Sequence, residues 1–251
     1  MQNQFIVNPH LDGDPFHWIA GKTGILLIHG FTATTAEVRP LAKILHANGY
    51  SISAPLLPGH LTSPGDLNEV TWQDWTYEVE KYYQMLAGQC QQVYAGGEST
   101  GALLAIRLAS MHPEISGILA YAPVLRLRLS FYQQVLLRIF SPLVPYIRKK
   151  NPESNEFWQG YRVNPLKGVI QLIKLQKEVT CKLPHVNQPI LIVQGRLDKT
   201  VHPKSPKIIA ENVNSSKVEI HWMETSSHTV ILEHELKDVA RTTIDFIVNS
   251  M

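Results

Sequence analysis

The sequence predicts an α/β fold with a mostly parallel, doubly wound sheet, on three observations. Short apolar runs bounded by turn residues recur along the chain, with helical patterns between them. The runs are apolar almost without a break, as strands covered by helices on both faces require. Strand and helix alternate in order, which is typical of a parallel sheet wound in both directions. The 251 residues suffice for one large domain.

Six runs are predicted to be strands and four patterns to be helices. The strands are residues 24–29, 51–57, 92–96, 117–122, 189–194 and 217–223. Pro40 suits the first turn of a helix that stops at Gly49. Thr71 and Asp74 form a capping signal for the next helix. Residues 101–109 are apolar nearly all round, as in a buried helix, and the segment from Leu236 repeats apolar residues at helical spacing.

One long segment interrupts the alternation. Residues 124–183 have helical character and no convincing strand. Inserted after the strand at 117–122, they would lie over the carboxyl ends of the strands, where open α/β sheets bind ligands. The sequence therefore predicts a core of residues 1–123 and 184–251 with a helical cap at 124–183.

Composition excludes several classes of protein. Hydrophobic residues make up 44% and charged residues 18% of the chain, as in a globular enzyme. A net charge of +2 gives no reason to expect nucleic acid as a partner. Cys90 and Cys181 lack metal-ligand spacing and are expected to be reduced thiols, so no metal site is predicted. The first 21 residues lack a secretory signal pattern and no apolar run could span a bilayer, so a cytoplasmic location is expected.

The segment Gly97-Glu98-Ser99-Thr100-Gly101 fits the pattern G-x-S-x-G between a predicted strand and a buried helix. A serine on such a strained turn projects its hydroxyl into the cleft, and the helix N-terminus favours developing negative charge. Ser99 is therefore the candidate nucleophile. The pattern alone also fits a turn that merely connects strand to helix, so its partners matter.

Two further residues stand where an acid and a base would be needed. Asp198 follows the strand at 189–194, and His228 follows the last strand. His228 would accept the Ser99 proton, and Asp198 would hold the imidazole in the right tautomer. Of the 11 histidines, His228 is preferred because it alone lies in the loop after the last strand. The other histidines are less suitable as the base: His221 lies within a predicted strand, His202 and His234 are expected at the surface, and His60 is expected to brace a loop. Glu224 is the reserve acid.

The triplet His29-Gly30-Phe31 follows the first predicted strand. Acyl transfer needs two backbone N–H groups aimed at the carbonyl oxygen, one after the nucleophile and one from this loop. The backbone N–H groups of Phe31 and Thr100 are therefore the predicted oxyanion hole.

With these motifs together, the chain resembles small bacterial carboxylesterases and monoacylglycerol-lipase-like members of the α/β-hydrolase superfamily over nearly its whole length. The matching segments are LLIHGFTATTAEVRPLAKILHANGY, APLLPGHLTSP, GGESTG, LPHVNQPILIVQGRLDKTV and SSHTVILEHE. The chain departs from the family's pattern at Leu61 and Ala102, each where a glycine is usual. Glu98 is also unusual, and a charge beside the nucleophile is expected to shift the pH dependence.

The resemblance implies an α/β-hydrolase fold and a serine carboxylesterase acting on short- to medium-chain acyl esters without a cofactor. A monoacylglycerol lipase, a thioesterase or a carbon–carbon bond hydrolase would share the triad, whereas a dehalogenase would need a carboxylate at Ser99. A non-catalytic binding protein of the same fold is the alternative from another class, and the complete triad disfavours it.

The predicted cap carries one further feature. Residues 124–150 contain six basic side chains and no acidic one, interleaved with apolar residues. Contact with an anionic lipid interface would use them. We favour a solvated basic face on a helix whose apolar side roofs the acyl pocket. The oligomeric state is left open.

Overall fold

A computed structural model describes residues 4–149 and 155–250. Its described strands are β1 (Ile6–Val7), β2 (Phe16–Trp18), β3 (Thr23–Ile28), β4 (Ser51–Ala54), β5 (Gln92–Glu98), β6 (Gly117–Tyr121), β7 (Tyr146–Arg148), β8 (Gly160–Tyr161), β9 (Val163–Pro165), β10 (Ile190–Gly195) and β11 (Val218–Met223). Seven of them form the central sheet, in the order β11-β10-β6-β5-β3-β4-β2. Neighbours are parallel except that β2 pairs antiparallel with β4 at one edge.

All six predicted strands lie in this sheet, and the predicted mostly parallel α/β fold is confirmed. The reason for the unbroken apolar runs is visible in β3. Its side chains alternate between two apolar layers: Leu26 and Ile28 pack into one, Ile25 and Leu27 into the other. Both layers are covered, so every position of the strand after Thr23 is buried. The edge strand β2 is not among the predicted strands, because three residues carry no recognisable pattern.

Helices cover both faces of the sheet. They are α1 (Arg39–Ala47), α2 (Pro64–Glu69), α3 (Trp72–Ala87), α4 (Thr100–Met111), α5 (Phe131–Phe140), α6 (Leu166–Lys182), α7 (Ser205–Asn212) and α8 (Leu236–Val248). The predicted capping signal is present, since the Thr71 and Asp74 side chains bond each other's backbone N–H groups at the start of α3. Gly49 lies just after α1 with a φ of +89°, a conformation that glycine adopts without strain.

The segment 124–183 is not purely helical. It holds α5 and α6, but also the short strands β7, β8 and β9. β7 pairs with β9, and β8 pairs with β1 near the N-terminus. The expectation that this segment contains no strand is therefore wrong: two- and three-residue strands leave no periodic signal, and their partners are distant in sequence. The division into core and cap stays a prediction.

None of the helices in residues 4–149 and 155–250 combines the length and apolarity needed to cross a bilayer.

Candidate active site

Ser99 lies on the turn between β5 and α4, and its backbone is strained. Its φ is 56° and its ψ is −106°, a region that residues with a Cβ rarely adopt. The flanking glycines make this turn possible. A Cβ on Gly97 would lie 2.3 Å from the Ile28 carbonyl oxygen, and one on Gly101 would lie 1.9 Å from the same atom. The G-x-S-x-G pattern is thus required by close contact between the turn and β3.

The structure brings the predicted acid, base and nucleophile into one hydrogen-bonded line. The Nε2 atom of His228 lies 3.0 Å from the Ser99 Oγ. Its Nδ1 atom lies 2.9 Å from the Asp198 Oδ2. The parallel sheet explains this meeting, because the loops after β5, β10 and β11 all leave the carboxyl edge of the sheet.

Asp198 is held in place by several donors. Its Oδ1 accepts hydrogen bonds from the backbone N–H groups of Thr200 (2.7 Å) and Val201 (3.0 Å). Its Oδ2 accepts a second bond, from the Gln194 amide at 2.7 Å. Burial alone would raise the pKa of Asp198, but the bond to His228 and these N–H groups outweigh it and lower the pKa. Asp198 is therefore suited to remain ionised beside the imidazole.

The competing candidates lie elsewhere. His60 braces a loop, as predicted: its Nε2 accepts from the Thr32 N–H at 3.1 Å, and burial lowers its pKa to about 4. His221 is partly exposed and faces Glu219. The reserve acid Glu224 bonds the Arg196 guanidinium instead of an imidazole.

The predicted oxyanion loop adjoins the nucleophile. A Cβ on Gly30 would lie 3.5 Å from the Cβ of Ser99, an ordinary van der Waals distance, so the loop lies directly beside the nucleophile. Phe31 follows directly, and Thr100 is the first residue of α4. Both predicted donors therefore belong to chain segments that flank Ser99.

A cavity of about 660 Å³ opens onto Ser99 and His228. One part of its wall is apolar and is formed by Val124, Leu127, Leu129, Leu136, Leu137, Phe140, Val169 and Leu172. Polar side chains line another part, namely Thr32, Glu37, Lys149 and Trp158. No motif in the sequence identifies Glu37 or Trp158 as residues of the site. The one available signal was an acidic residue a few positions after the His29-Gly30-Phe31 loop.

Comparison with known proteins gives consistent matches over nearly the whole chain. The model of the serine aminopeptidase S33 family matches residues 21–235. The thermostable monoacylglycerol lipase of Bacillus sp. (strain H-257) is 31% identical over 247 residues, covering 95% of this chain and 96% of that protein. The carboxylesterase of Bacillus subtilis (strain 168) is 28% identical, covering 93% and 95%. A solved structure from work on the metagenome-derived lipolytic enzymes LipS and LipT superposes with a TM-score of 0.89 at 26% identity, covering 95% and 99%.

The resemblance inferred from the sequence motifs is therefore confirmed, and the matched range includes Ser99, Asp198 and His228. The chain belongs to the serine aminopeptidase S33 family, and it is a serine hydrolase of the α/β-hydrolase fold.

Proposed function

We propose that the protein is a carboxylesterase that hydrolyses short- to medium-chain acyl esters through an acyl-enzyme intermediate. The observation that carries this proposal is the hydrogen-bonded line of Ser99, His228 and Asp198 at the cavity. The cavity of about 660 Å³ falls within the range of about 300–1,000 Å³ that is typical of small-molecule sites. Its apolar wall suits an acyl chain.

The reaction follows from the geometry. His228 Nε2 takes the proton of Ser99 as Oγ attacks the ester carbonyl carbon. The carbonyl oxygen becomes an oxyanion, which the backbone N–H groups of Phe31 and Thr100 would stabilise. His228 then returns the proton to the leaving alcohol, which departs and leaves the acyl group on Ser99. Water, deprotonated by His228, attacks this ester and releases the carboxylic acid.

A p-nitrophenyl ester series from acetate to palmitate tests the proposal. Activity is expected to peak at a short or medium acyl length and then fall as the chain outgrows the apolar wall of the cavity. A fluorophosphonate is expected to abolish the activity: Ser99 Oγ displaces fluoride from phosphorus, and the phosphonyl group adds its mass to the peptide that contains Ser99. Failure of the phosphonate to react, or an adduct on another residue, would contradict the proposed mechanism.

A monoacylglycerol lipase is the second candidate, and one surface favours it. Of 15 exposed large hydrophobic side chains among the described residues, eight lie between residues 131 and 147. We call this surface the cap face: Phe131, Tyr132, Ile139, Phe140, Leu143, Val144, Tyr146 and Ile147. Phe131 is 83% exposed and Leu143 is 79% exposed, so the surface is open to solvent. Exposed apolar side chains concentrated in one segment in this way are typical of sites that contact a lipid or a protein.

The charge of this segment indicates which of the two, a lipid or a protein, the cap face would contact. Residues 124–149 contain no acidic side chain. Arg138 and Arg148 are exposed, and neither forms an ion pair with another described residue. The sixth basic residue of this segment, Lys150, lies outside the described residues. A second copy of this chain would bring the same positive charge against itself, whereas an anionic lipid surface would complement it. Leu136, Leu137 and Phe140 line the cavity, as the predicted roof of an acyl pocket would. Phe140 and Ile147 belong to both the cavity wall and the cap face, so an amphiphilic ester could pass between them.

Binding to vesicles checks this lipid contact. The protein is expected to sediment with phosphatidylcholine vesicles that contain 30 mol% (about a third) phosphatidylglycerol, and less with pure phosphatidylcholine. Because each arginine near an anionic surface contributes about 1 kcal/mol, losing two should weaken binding about 30-fold, and the two added negative charges of R138E/R148E should weaken it further. The matched control K207E/K237E changes the same charge on two exposed residues away from the cap face. Equal binding to neutral vesicles, or an equal loss in the control, would contradict the assignment.

A further inference from the structure

Glu37 is a buried acidic side chain on the wall of the cavity, and the mechanism above does not use it. It ends a short 3-10 turn, Thr35–Glu37, and is 3% exposed. It shares the cavity with Ser99 and His228. A carboxylate on the wall of this cavity would repel a developing oxyanion, so Glu37 must favour the reaction in some way other than by its charge.

The contacts of Glu37 join the oxyanion loop to the segment over the cavity. Its Oε2 accepts a hydrogen bond from the Gly30 N–H at 2.6 Å. Its Oε1 accepts a second bond, from the Trp158 indole N–H at 3.1 Å. Hydrogen bonds to an ionised acceptor are short and about twice as strong as neutral ones. One carboxyl group therefore fixes two chain segments that are more than 100 residues apart in sequence.

The turn that carries Glu37 is itself fixed. The Glu37 N–H donates to the Thr34 carbonyl oxygen, and the Thr34 hydroxyl donates to the Gln159 side chain at 2.8 Å. Gln159 lies next to Trp158, so a second bond joins the same two segments. The position of Glu37 is therefore fixed by the hydrogen bonds of its turn as well as by the two bonds that its carboxylate accepts.

Gly30 is the position where such a restraint has most effect. Glycine has more backbone freedom than any other residue, and a Cβ here would lie a tight 3.1 Å from the Glu37 Oε2. The next residue, Phe31, supplies the predicted oxyanion donor. Movement of the Gly30 peptide groups would swing the Phe31 N–H away from the carbonyl oxygen. Glu37 fixes the peptide group that carries the Gly30 N–H, so only the two backbone torsions of Gly30 are left between this fixed group and the Phe31 N–H.

We propose that Glu37 is a positioning residue for the oxyanion hole, holding the Gly30–Phe31 backbone in the orientation that stabilises the tetrahedral intermediate. The proposal rests on the proposed function, since the oxyanion forms only if Ser99 attacks an acyl carbonyl. We therefore expect Glu37 to stabilise the transition state and to contribute little to binding of the ester.

Three variants and two readouts test the role. Glu37→Ala removes both acceptors; its kcat for p-nitrophenyl butyrate is expected to fall about 10²-fold, the loss typical for one oxyanion donor, with little change in KM. Glu37→Gln keeps one oxygen acceptor and should lose about tenfold, since a neutral acceptor bonds more weakly. Trp158→Phe removes only the indole donor and should lose less than Glu37→Ala. The surface variant Glu211→Gln controls for loss of a carboxylate.

The second readout is the inhibition constant of a trifluoromethyl ketone. Ser99 Oγ adds to its carbonyl carbon, the serine proton passes to His228, and the ketone oxygen becomes an oxyanion. In each Glu37 variant this constant should rise by the same factor by which kcat falls. A merely structural role would lower the thermal midpoint without producing this parallel.

The outcomes are distinct. If wild type hydrolyses no ester of the series, the proposed function fails. If wild type is active but folded Glu37→Ala matches it in kcat, the role of Glu37 is overturned. The same holds if kcat falls while inhibition by the ketone is unchanged, or if Trp158→Phe loses as much as Glu37→Ala. Should Glu37→Ala not fold, the near-isosteric Glu37→Gln decides, and wild-type values for both readouts would overturn the proposal.

Discussion

Asp198→Asn is expected to lower kcat by about 10⁴-fold while leaving the fold unchanged, the loss that the equivalent change causes in serine proteases. The carboxylate accepts a hydrogen bond from His228 Nδ1 and so keeps the proton there. Nε2 is then unprotonated and can accept the Ser99 proton. A group that donates to Nδ1 would place the proton on Nε2 and block this step.

The structure determines which end of the new amide would face the histidine. The Oδ1 of Asp198 accepts from two backbone N–H groups, of Thr200 and Val201, and these cannot move without disrupting the loop. The oxygen of an asparagine is therefore retained at this end, and its NH₂ group takes the place of Oδ2 opposite His228. Gln194, which donates to Oδ2, has a buried Oε1 that has no hydrogen-bond partner within residues 4–149 and 155–250. Turning the Gln194 amide over would let that oxygen accept from the new NH₂ and stabilise the wrong tautomer.

Steady-state kinetics on p-nitrophenyl butyrate, together with a thermal melt, would measure the effect. The exposed pair of Asp238 with Arg241 provides a control, since Asp238→Asn also removes one carboxylate and is expected to retain wild-type kcat. A value for Asp198→Asn above about a tenth of wild type would show that orientation of His228 does not depend on this carboxylate.

The sequence sufficed to predict that Ser99, Asp198 and His228 lie near one another, because each stands in the turn or loop that follows a strong apolar strand of a parallel sheet. In such a sheet the carboxyl ends of the strands share one edge, so knowing the strands predicts which loops meet. The same argument identified the His29-Gly30-Phe31 loop. At these positions the local sequence pattern and the topology of the sheet agree, so short motifs were enough to predict which loops come together.

The sequence could not reveal Glu37, Trp158 or the strands β7, β8 and β9. The partner of Glu37 at Trp158 is 121 residues away, and neither residue lies in a periodic segment or a recognisable motif. Strands of two or three residues form only because distant segments have already been placed beside them. Such contacts depend on the assembled fold and leave no local signal.

Replacing Glu98 with glutamine is expected to remove a loss of stability that the wild-type protein undergoes as the pH rises above the usual pKa of a glutamate. Glu98 ends β5 and is fully buried beside Ser99. Among the described residues, its carboxyl oxygens make no well-formed hydrogen bond. Burial first, then the negative charges of Glu37 and Asp198, raise its pKa well above the usual value for a glutamate. The Ile231 backbone N–H acts to lower the pKa of Glu98, but less strongly than burial raises it. The sequence led us to expect a charge here, whereas the structure favours the neutral acid.

The direction of the stability change follows from proton binding. Glutamate in the unfolded chain loses its proton near pH 4.3, whereas folded Glu98 keeps its proton to a higher pH. Between these two pKa values the folded state binds one more proton than the unfolded state. The free energy of unfolding therefore falls as the pH rises, by up to about 1.4 kcal/mol per pH unit, and the fall ends at the folded pKa. Glutamine does not titrate, so this decline should be absent in the variant.

Urea unfolding of both proteins at pH 5, 6, 7 and 8 measures the difference. At pH 5 they should be similar, because glutamine resembles the protonated acid in shape and charge. As the pH rises toward 8 the variant should become the more stable of the two, and the difference should stop growing at the folded pKa of Glu98. Glu211→Gln, on the surface of α7, should follow wild type at every pH. If wild type and Glu98→Gln ran parallel, Glu98 would carry its charge in the folded protein.

The same proton bears on catalysis, because Glu98 immediately precedes the nucleophile. A carboxyl group can lie beside a developing oxyanion at little electrostatic cost only while it is neutral. Once the pH exceeds the folded pKa of Glu98, its charge should oppose the oxyanion and lower kcat in wild type. In Glu98→Gln this decline should move to higher pH or disappear. In wild type, the pH at which kcat falls and the pH at which the stability difference stops growing should therefore coincide. The kinetic and the unfolding measurements would then both report the pKa of Glu98.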